Sequence, residues 1–487
     1  MQRRRGGIKT LLVCLECVLW QAWQPQLAFM SKYAAKFAIN GSPNCMVLYI
    51  VKVFGSVEFA TDRDVLVCAL RALKVVCSSS GSGGGGDGAP IARDVFHSGH
   101  MEQLVKVVDQ FQTDRELVEA ALVAVHTLCT KVENNKASFM RHGGGLQLIK
   151  ALNNHSECHG IITADCAAMR AVTTGDDRRH DLSCAYDNIK QLVDVAAPHH
   201  SDQTEAADTA DDTADDSSET ADEAAEVADT GGYRGSGGSV RIVTAVLLAL
   251  RQLVANDEAV RALADANDGA GLALVLDALD QLSGLHNASA CRAALGVVRN
   301  VCGNDKHKSA LAHGRGLPLL LKAMELHKDS APIQEHGIAA LAQMCLRAPS
   351  NSERAIRHHS AAVLVAAAMR RHANCVPLQR QCCLFIRNVA ARCPELRPVL
   401  LDEGFEDLLK TAGKHQGAVD EAYAALRDLG CQAQLVTFTA DGATRVGIEA
   451  FGETKPQFNP THSERVGLDA VIEENATAPA HSGFKMG

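Results

Sequence analysis

The chain has 487 residues and a formal charge of −9, with 47% hydrophobic and 4% aromatic residues. That apolar content excludes a wholly disordered chain, and few aromatics beside abundant alanine speak for packed helices over a β-sandwich. Twelve carboxylates and no Lys or Arg fall between 201 and 230, so the remainder carries about +3, which excludes a strongly basic nucleic-acid binder and a uniformly acidic protein.

Residues 1–43 read as a poorly defined leader. Arg3-Arg4-Arg5 precedes the apolar run Ile8 to Trp20 in the order of a signal peptide. Glu16 interrupts that run, no small-x-small cleavage site follows promptly, and its thirteen residues are too few to span a bilayer. The 17 cysteines are an odd count, and Cys68, Cys77, Cys129, Cys302 and Cys345 lie inside apolar helical patterns. Free thiols in a reducing compartment are therefore expected, cytoplasmic or nuclear, with secretion or organelle import the lesser reading.

From residue 44 to 435 the chain is organised by repetition. A degenerate first unit, 44–77, closes on the helical run Val65 to Cys77, and the Gly/Ser-rich stretch Ser78 to Pro90 reads as a flexible loop. Its Gly83–Gly86 run has no following Gly-Lys-Ser/Thr, so it is no phosphate-cradling loop. Later units close on Val298-Arg299-Asn300-Val301, Ile386-Arg387-Asn388-Val389 and Leu426-Arg427-Asp428-Leu429. Looser copies centre on Thr127, Ala171, Gln252 and Gln343. Steps between successive markers are 44, 81, 48, 43, 45 and 40 residues. The long step contains the acidic low-complexity segment 199–238, read as a disordered insert. Each unit also opens alike: Gly144-Gly145-Leu146, Gly271-Leu272, Gly316-Leu317 and Gly404-Phe405, with Ser360-Ala361 in the same place. Glycine there allows a sharp turn between a short first helix and a longer second one. After 435 the repeat stops, and 436–487 is expected to be a flexible tail.

A period of roughly 40–47 residues marks HEAT and armadillo solenoids. Three helices per unit, the Gly-Gly-Leu opening and the Arg-Asn-Val close resemble armadillo repeats. The segment Gln381 to Cys431, with Arg387-Asn388-Val389-Ala390-Ala391-Arg392-Cys393-Pro394-Glu395-Leu396, Leu401-Asp402-Glu403-Gly404 and Asp420-Glu421-Ala422-Tyr423 through Cys431, closely resembles the C-terminal repeats of the armadillo repeat-containing protein six family. The leader, the Gly-rich loop and the acidic insert depart from it. The resemblance implies an all-α, right-handed armadillo superhelix of about eight three-helix repeats, and a protein-interaction role.

In such folds third helices line an inner groove, where asparagine carboxamides can hydrogen-bond an extended peptide. The corresponding positions are Asn300 and Asn388, with Gln252, Gln343 and Asp428 as polar substitutes. One residue earlier stand Lys74, His126, Arg170, Arg251, Arg299, Arg387 and Arg427, with Ala342 the apolar exception. This basic ladder favours an acidic or phosphorylated segment as partner, unless the arginines pair with carboxylates of the next repeat. The tethered carboxylates of 202–229 would be an intramolecular competitor, although a solvated spacer is the plainer reading. Import receptors of this fold need Trp four residues before the Asn; the chain has Gly296, Ala339, Leu384 and Ala424 there.

The sequence thus describes a non-catalytic scaffold or adaptor for an extended peptide or protein surface, without cofactor, nucleic acid or membrane. Its alternatives are a structural subunit using the convex face and an enzyme with an unrecognised site. Against the last, there is no Gly-x-Ser-x-Gly and no His-Glu-x-x-His. Cys14-x-x-Cys17 is a lone pair, and His155 to His159 has no distant second set of ligands. Of Cys382 and Cys383, on adjacent faces of one helix, one is expected in the core.

Overall fold

Each repeat unit closes on a helix that packs against the closing helix of the next unit. A computed structural model describes residues 62–78, 98–175, 186–201, 237–284, 287–431, 433–438 and 444–449. The first unit ends in α1 (Arg63–Ser78), and the second contributes α2 (Ser98–Gln110) and α3 (Arg115–Cys129). The third is a full triplet, α4 (Glu133–Arg141), α5 (Gly144–Asn154) and α6 (His159–Thr173); the fourth shows α7 (Tyr186–Ser201) and α8 (Gly237–Leu253). Full triplets follow: α9 (Asp257–Asp265), α10 (Ala270–Gly284) and α11 (Ala288–Val301), then α12 (Asp305–His313), α13 (Gly316–Leu326) and α14 (Ala331–Cys345). The last two are α15 (Pro349–Glu353), α16 (Ala361–Arg371) and α17 (Val376–Ala390), then α18 (Arg397–Asp402), α19 (Phe405–Ala412) and α20 (Val419–Leu429).

Two layers result. The third helices α1, α3, α6, α8, α11, α14, α17 and α20 pack in succession, and so do the second helices α2, α5, α7, α10, α13, α16 and α19. One continuous apolar core runs between the layers from Leu66 to Cys431. No single amphipathic helix could bury its apolar face alone; each buried Leu or Ile contributes about 1.5–3 kcal/mol only because the next unit covers it.

Polar contacts recur with the repeat. Gln334 Nε2 donates to the Met324 and His327 carbonyls at 2.6 and 3.0 Å, and Gln379 does the same to Met369 and His372 at 3.0 Å each. Lys136 and Lys308, buried in their first helices, donate to the Thr174 and Leu346 carbonyls at 2.8 and 2.7 Å, at the end of the third helix of the same unit. Both carbonyls belong to C-cap residues of third helices, which no intrahelical N–H can reach. Asp114, Asn256, Asn287 and Asn304 cap helix N-termini in the usual way.

The opening glycines act by two means. Gly143 and Gly404 are left-handed, at φ 82° and 83°, and supply the turn into α5 and α19. Gly271 has no such φ; a Cβ there would collide with the Leu263 carbonyl oxygen, so glycine lets α9 and α10 approach closely.

The C-terminal end differs from expectation. Ala433–Phe438 and Thr444–Glu449 form an antiparallel hairpin, β1 and β2, with Val436 opposite Val446, so residues 436–438 and 444–449 are not loose tail. Asp441-Gly442 between two alternating apolar runs is a strong hairpin signal that the helical periodicity overshadowed. β1 packs on α20. The leader, the loop after Ser78 and nearly all of 199–238 lie outside the described residues; the ends of that segment belong to α7 and α8.

Candidate functional site

Beyond its first turn, α11 is buried except for Arg292, Arg299 and Asn300. On α14 the open positions past the first turn are Glu335, His336 and Gln343, and on α17 they are Arg380, Gln381, Leu384, Arg387 and Asn388. Counted back from the repeat marker, these are the same helical positions: eight, seven, four and one before it, and the marker itself. Stacked third helices therefore join them into one solvent-open stripe. Arg251, Gln252, Arg427 and Asp428 sit on the same stripe. The structure brings the predicted set Arg251, Gln252, Arg299, Asn300, Gln343, Arg387, Asn388, Arg427 and Asp428 onto one face.

The asparagines are half committed. Asn300 Nδ2 donates to the Arg251 carbonyl at 2.9 Å, and Asn388 Nδ2 to the Ala342 carbonyl at 2.8 Å. In both cases the acceptor is the ladder residue of the preceding third helix. The amide NH2 thus ties the stack together, and the carboxamide oxygen is left for another donor.

Ladder side chains find contacts of more than one kind. Near the C-terminal end the ladder is neutralised from within. Arg380 grips Glu421 Oε1 through Nε at 2.9 Å and Nη2 at 2.6 Å. Asp428 accepts from Arg387 Nε at 3.3 Å and from Arg427 Nη2 at 2.9 Å. In the middle the geometry differs. The side chain of Arg251 lies across Gly296 on α11; a Cβ on Gly296 would collide with its Cδ and come within 2.9 Å of its Cγ. His126, at the equivalent ladder position of α3, likewise reaches forward to the Ala167 carbonyl at 3.0 Å. Gly296 and Ala167 occupy the same repeat position, four before the marker.

Arg292, Gly296 and Arg299 lie on one face of α11, so Arg251 crosses between two further arginines. Opposite, on α14, stands His336, whose Nδ1 pairs with the Pro332 carbonyl at 3.0 Å and must therefore be the protonated nitrogen. Burial, and then the positive field of Arg251, Arg292 and Arg299, pushes its pKa down to about 4, so the ring is neutral at physiological pH. Sequence reasoning passed over Arg292, Arg380 and His336. A spacing of seven between Arg292 and Arg299 was the available signal, because it returns to the same helix face.

Nucleophilic chemistry finds little support. Cys382 and Cys383 are both buried, against the expectation of one, and burial pushes Cys383 up to about 12 and Cys382 well above its ordinary range. His155 Nε2 donates to the Gln112 carbonyl, 2.7 Å away, in an inter-repeat contact, and His159 meets His199 edge-on. Among the described residues no cluster of metal-ligating side chains occurs, and no helix is long and apolar enough to cross a membrane.

No family model matches the chain. It is similar to armadillo repeat-containing protein 6 of Homo sapiens, 27% identical over 311 residues, which cover 62% of this chain and 53% of that protein. The same protein of Pongo abelii is 26% identical over 305 residues, with the same shares. The chain thus spans about half the length of the curated relatives it matches. Among solved structures, an engineered protein aligns with a TM-score of 0.49 at 17% identity, over 85% of this chain and 94% of that one. A designed armadillo repeat protein in complex with the peptide (KR)4 aligns with a TM-score of 0.42 at 19% identity, over 61% and 98%.

Proposed function

We propose, from the premise that the chain is an armadillo-repeat protein, that it is a non-catalytic scaffold or adaptor holding an extended peptide or protein segment along the stripe of its third helices. The observation that carries this reading is the stripe's continuity. Polar side chains at one helical position, repeated unit after unit, give an extended backbone partners at regular intervals, while the rest of α11 past its first turn is committed to the core. The carboxamide oxygens of Asn300 and Asn388, whose Nδ2 groups are already engaged, are acceptors suited to peptide N–H groups. The mid-stripe arginines favour acidic or phosphorylated segments. A cytoplasmic or nuclear setting is in keeping with the free cysteines among the described residues, most of them buried.

The test is a quadruple variant, Asn300→Ala, Arg299→Ala, Asn388→Ala and Arg387→Ala, compared with the native chain by proximity labelling. A scaffold that uses the stripe loses its specific neighbours while its helical circular dichroism is unchanged. Retention of every neighbour by the folded variant would contradict the proposal.

A second reading, a structural subunit held by its other layer, is favoured by a specific observation. Leu146, Leu326 and Val363 are exposed on second helices, and a shallow cleft between α13 and α16 is lined by Pro318, Leu321, Leu326 and Leu364 together with Lys322, Glu325 and His359. In that case Leu326→Glu with Val363→Glu abolishes association and the quadruple variant does not.

A further inference from the structure

The hairpin after the last repeat ends in an open strand. Among the described residues β1 pairs with β2, and the sheet has no third member. β1 is the strand packed on α20, so β2 is the outer one. A two-stranded hairpin is marginal in water, and an outer strand presents a row of N–H and C=O groups that accepts another strand.

The sequence holds a strand made to the same pattern. β2 and the residue after it read Arg445-Val446-Gly447-Ile448-Glu449-Ala450, and 20 positions later the chain reads Arg465-Val466-Gly467-Leu468-Asp469-Ala470. Four of the six residues are identical, and the two changes keep an aliphatic residue and an acidic one. The copy therefore has the alternation of β2, aliphatic positions set between polar ones.

It also matches β2 as a pairing partner. Laid antiparallel with Gly467 opposite Gly447, the copy puts Asp469 opposite Arg445 and Arg465 opposite Glu449. The same register sets Leu468 and Val466 opposite Val446 and Ile448. Opposite charges directly across a ladder stabilise it, and like charges weaken it. A shift of one residue sets aliphatic positions against charged ones, and a shift of two sets all four charges opposite uncharged residues. The free edge of β1 offers no such match, because Ala433–Phe438 contains no charged residue. The 15 residues between Glu449 and Arg465 include Gly452, Pro456 and Pro460, types that suit a loop, and are ample to return the chain.

A second copy of the protein is the rival occupant. Two β2 strands set antiparallel about Gly447 also place Arg445 opposite Glu449, so the edge is self-complementary. Tethering gives the chain's own segment an effective concentration of order mM, which favours it at micromolar protein.

We propose that the segment 465–469 adds to the outer edge of β2 as a third, antiparallel strand, and so withholds from a second copy an edge that would otherwise accept it. The test is amide hydrogen exchange on the full chain, with its mass measured by light scattering at micromolar concentration. In the native chain β2 and 465–469 should both be protected, and the mass should be that of a monomer. Exchanging the charges of the copy, Arg465→Glu with Asp469→Arg, sets like charges opposite each other. Exchange in 465–469 should then rise at least about tenfold, and the chain should shift to a dimer. Adding Arg445→Glu and Glu449→Arg restores the match, so protection and the monomer should both return. Free exchange of 465–469 in the native chain would overturn the proposal, as would a four-substitution chain that regains no protection. A native dimer with β2 protected and 465–469 exchanging freely would overturn it by giving the edge to a second copy.

Discussion

Arg251 of one repeat lies across Gly296 of the next, and the two positions are complementary: the arginine's path exists because the glycine has no side chain. Gly296→Ala should therefore act on binding more than on stability. The added methyl improves helix propensity by about 1 kcal/mol, which offsets part of the cost of moving the Arg251 stem. The denaturation midpoint should shift little, while affinity for an acidic peptide falls as it does in Arg251→Ala. A large loss of stability with intact binding would show that Arg251 is a packing element only.

Asp428 is held between Arg387 and Arg427, largely covered by them. Asp428→Asn would release both cations into the stripe. Because both arginines are exposed, stability should change by no more than about 1 kcal/mol. Binding of acidic peptides should tighten at low salt and the gain should fade as salt rises. Unchanged binding at low salt would mean that the C-terminal end of the stripe lies outside the docking surface.

Removal of residues 201–230 bears on the same electrostatics. Its twelve carboxylates are tethered to α7 and α8, so their effective concentration at the arginines of α8 is of order mM. The deletion variant should bind an acidic peptide more tightly at low salt. Equal affinity would assign the segment the role of a spacer.

The buried lysines make a stability prediction. Lys308 is 4% exposed and its ammonium caps the Leu346 carbonyl at the end of its own repeat's third helix. Lys308→Met keeps the stem and removes the donor, and should cost about 1–3 kcal/mol in urea denaturation of the full chain. Lys136→Met should cost a similar amount through Thr174. A neutral result at both would place the capping of these helices elsewhere.

Asp165 on α6 is fully buried with neither carboxyl oxygen hydrogen-bonded, and burial pushes its pKa well above the ordinary carboxylate range. The folded state therefore holds a proton that the unfolded state releases above about pH 4, so the residue destabilises the fold increasingly as pH rises from there. Other repeats have Ala121, Ala294, Gly337 and Ala422 at this position. Asp165→Ala should stabilise the chain by about 1 kcal/mol or more at neutral pH, with the gain shrinking toward pH 4. A gain independent of pH would show that the carboxyl is ionised in the folded state.

The sequence by itself determined the repeat, its register and the face on which the ladder stands. Apolar spacing and a marker recurring at near-constant intervals suffice for that, because each unit must bury the same face against its neighbour. Thus Arg299 and Arg387 were legible as equivalent positions before any coordinates. Their fates were not. Where a ladder arginine lies depends on residues about 41 positions away, as Arg387 meets Asp428, or on a missing side chain 45 away, as Arg251 meets Gly296. Local pattern carries no record of such pairings, since they follow from how one helix sits on the next. The same reason hid the second role of Asn300 and Asn388: a carboxamide looks free in sequence, and only the stacking of third helices decides which of its two ends is already taken.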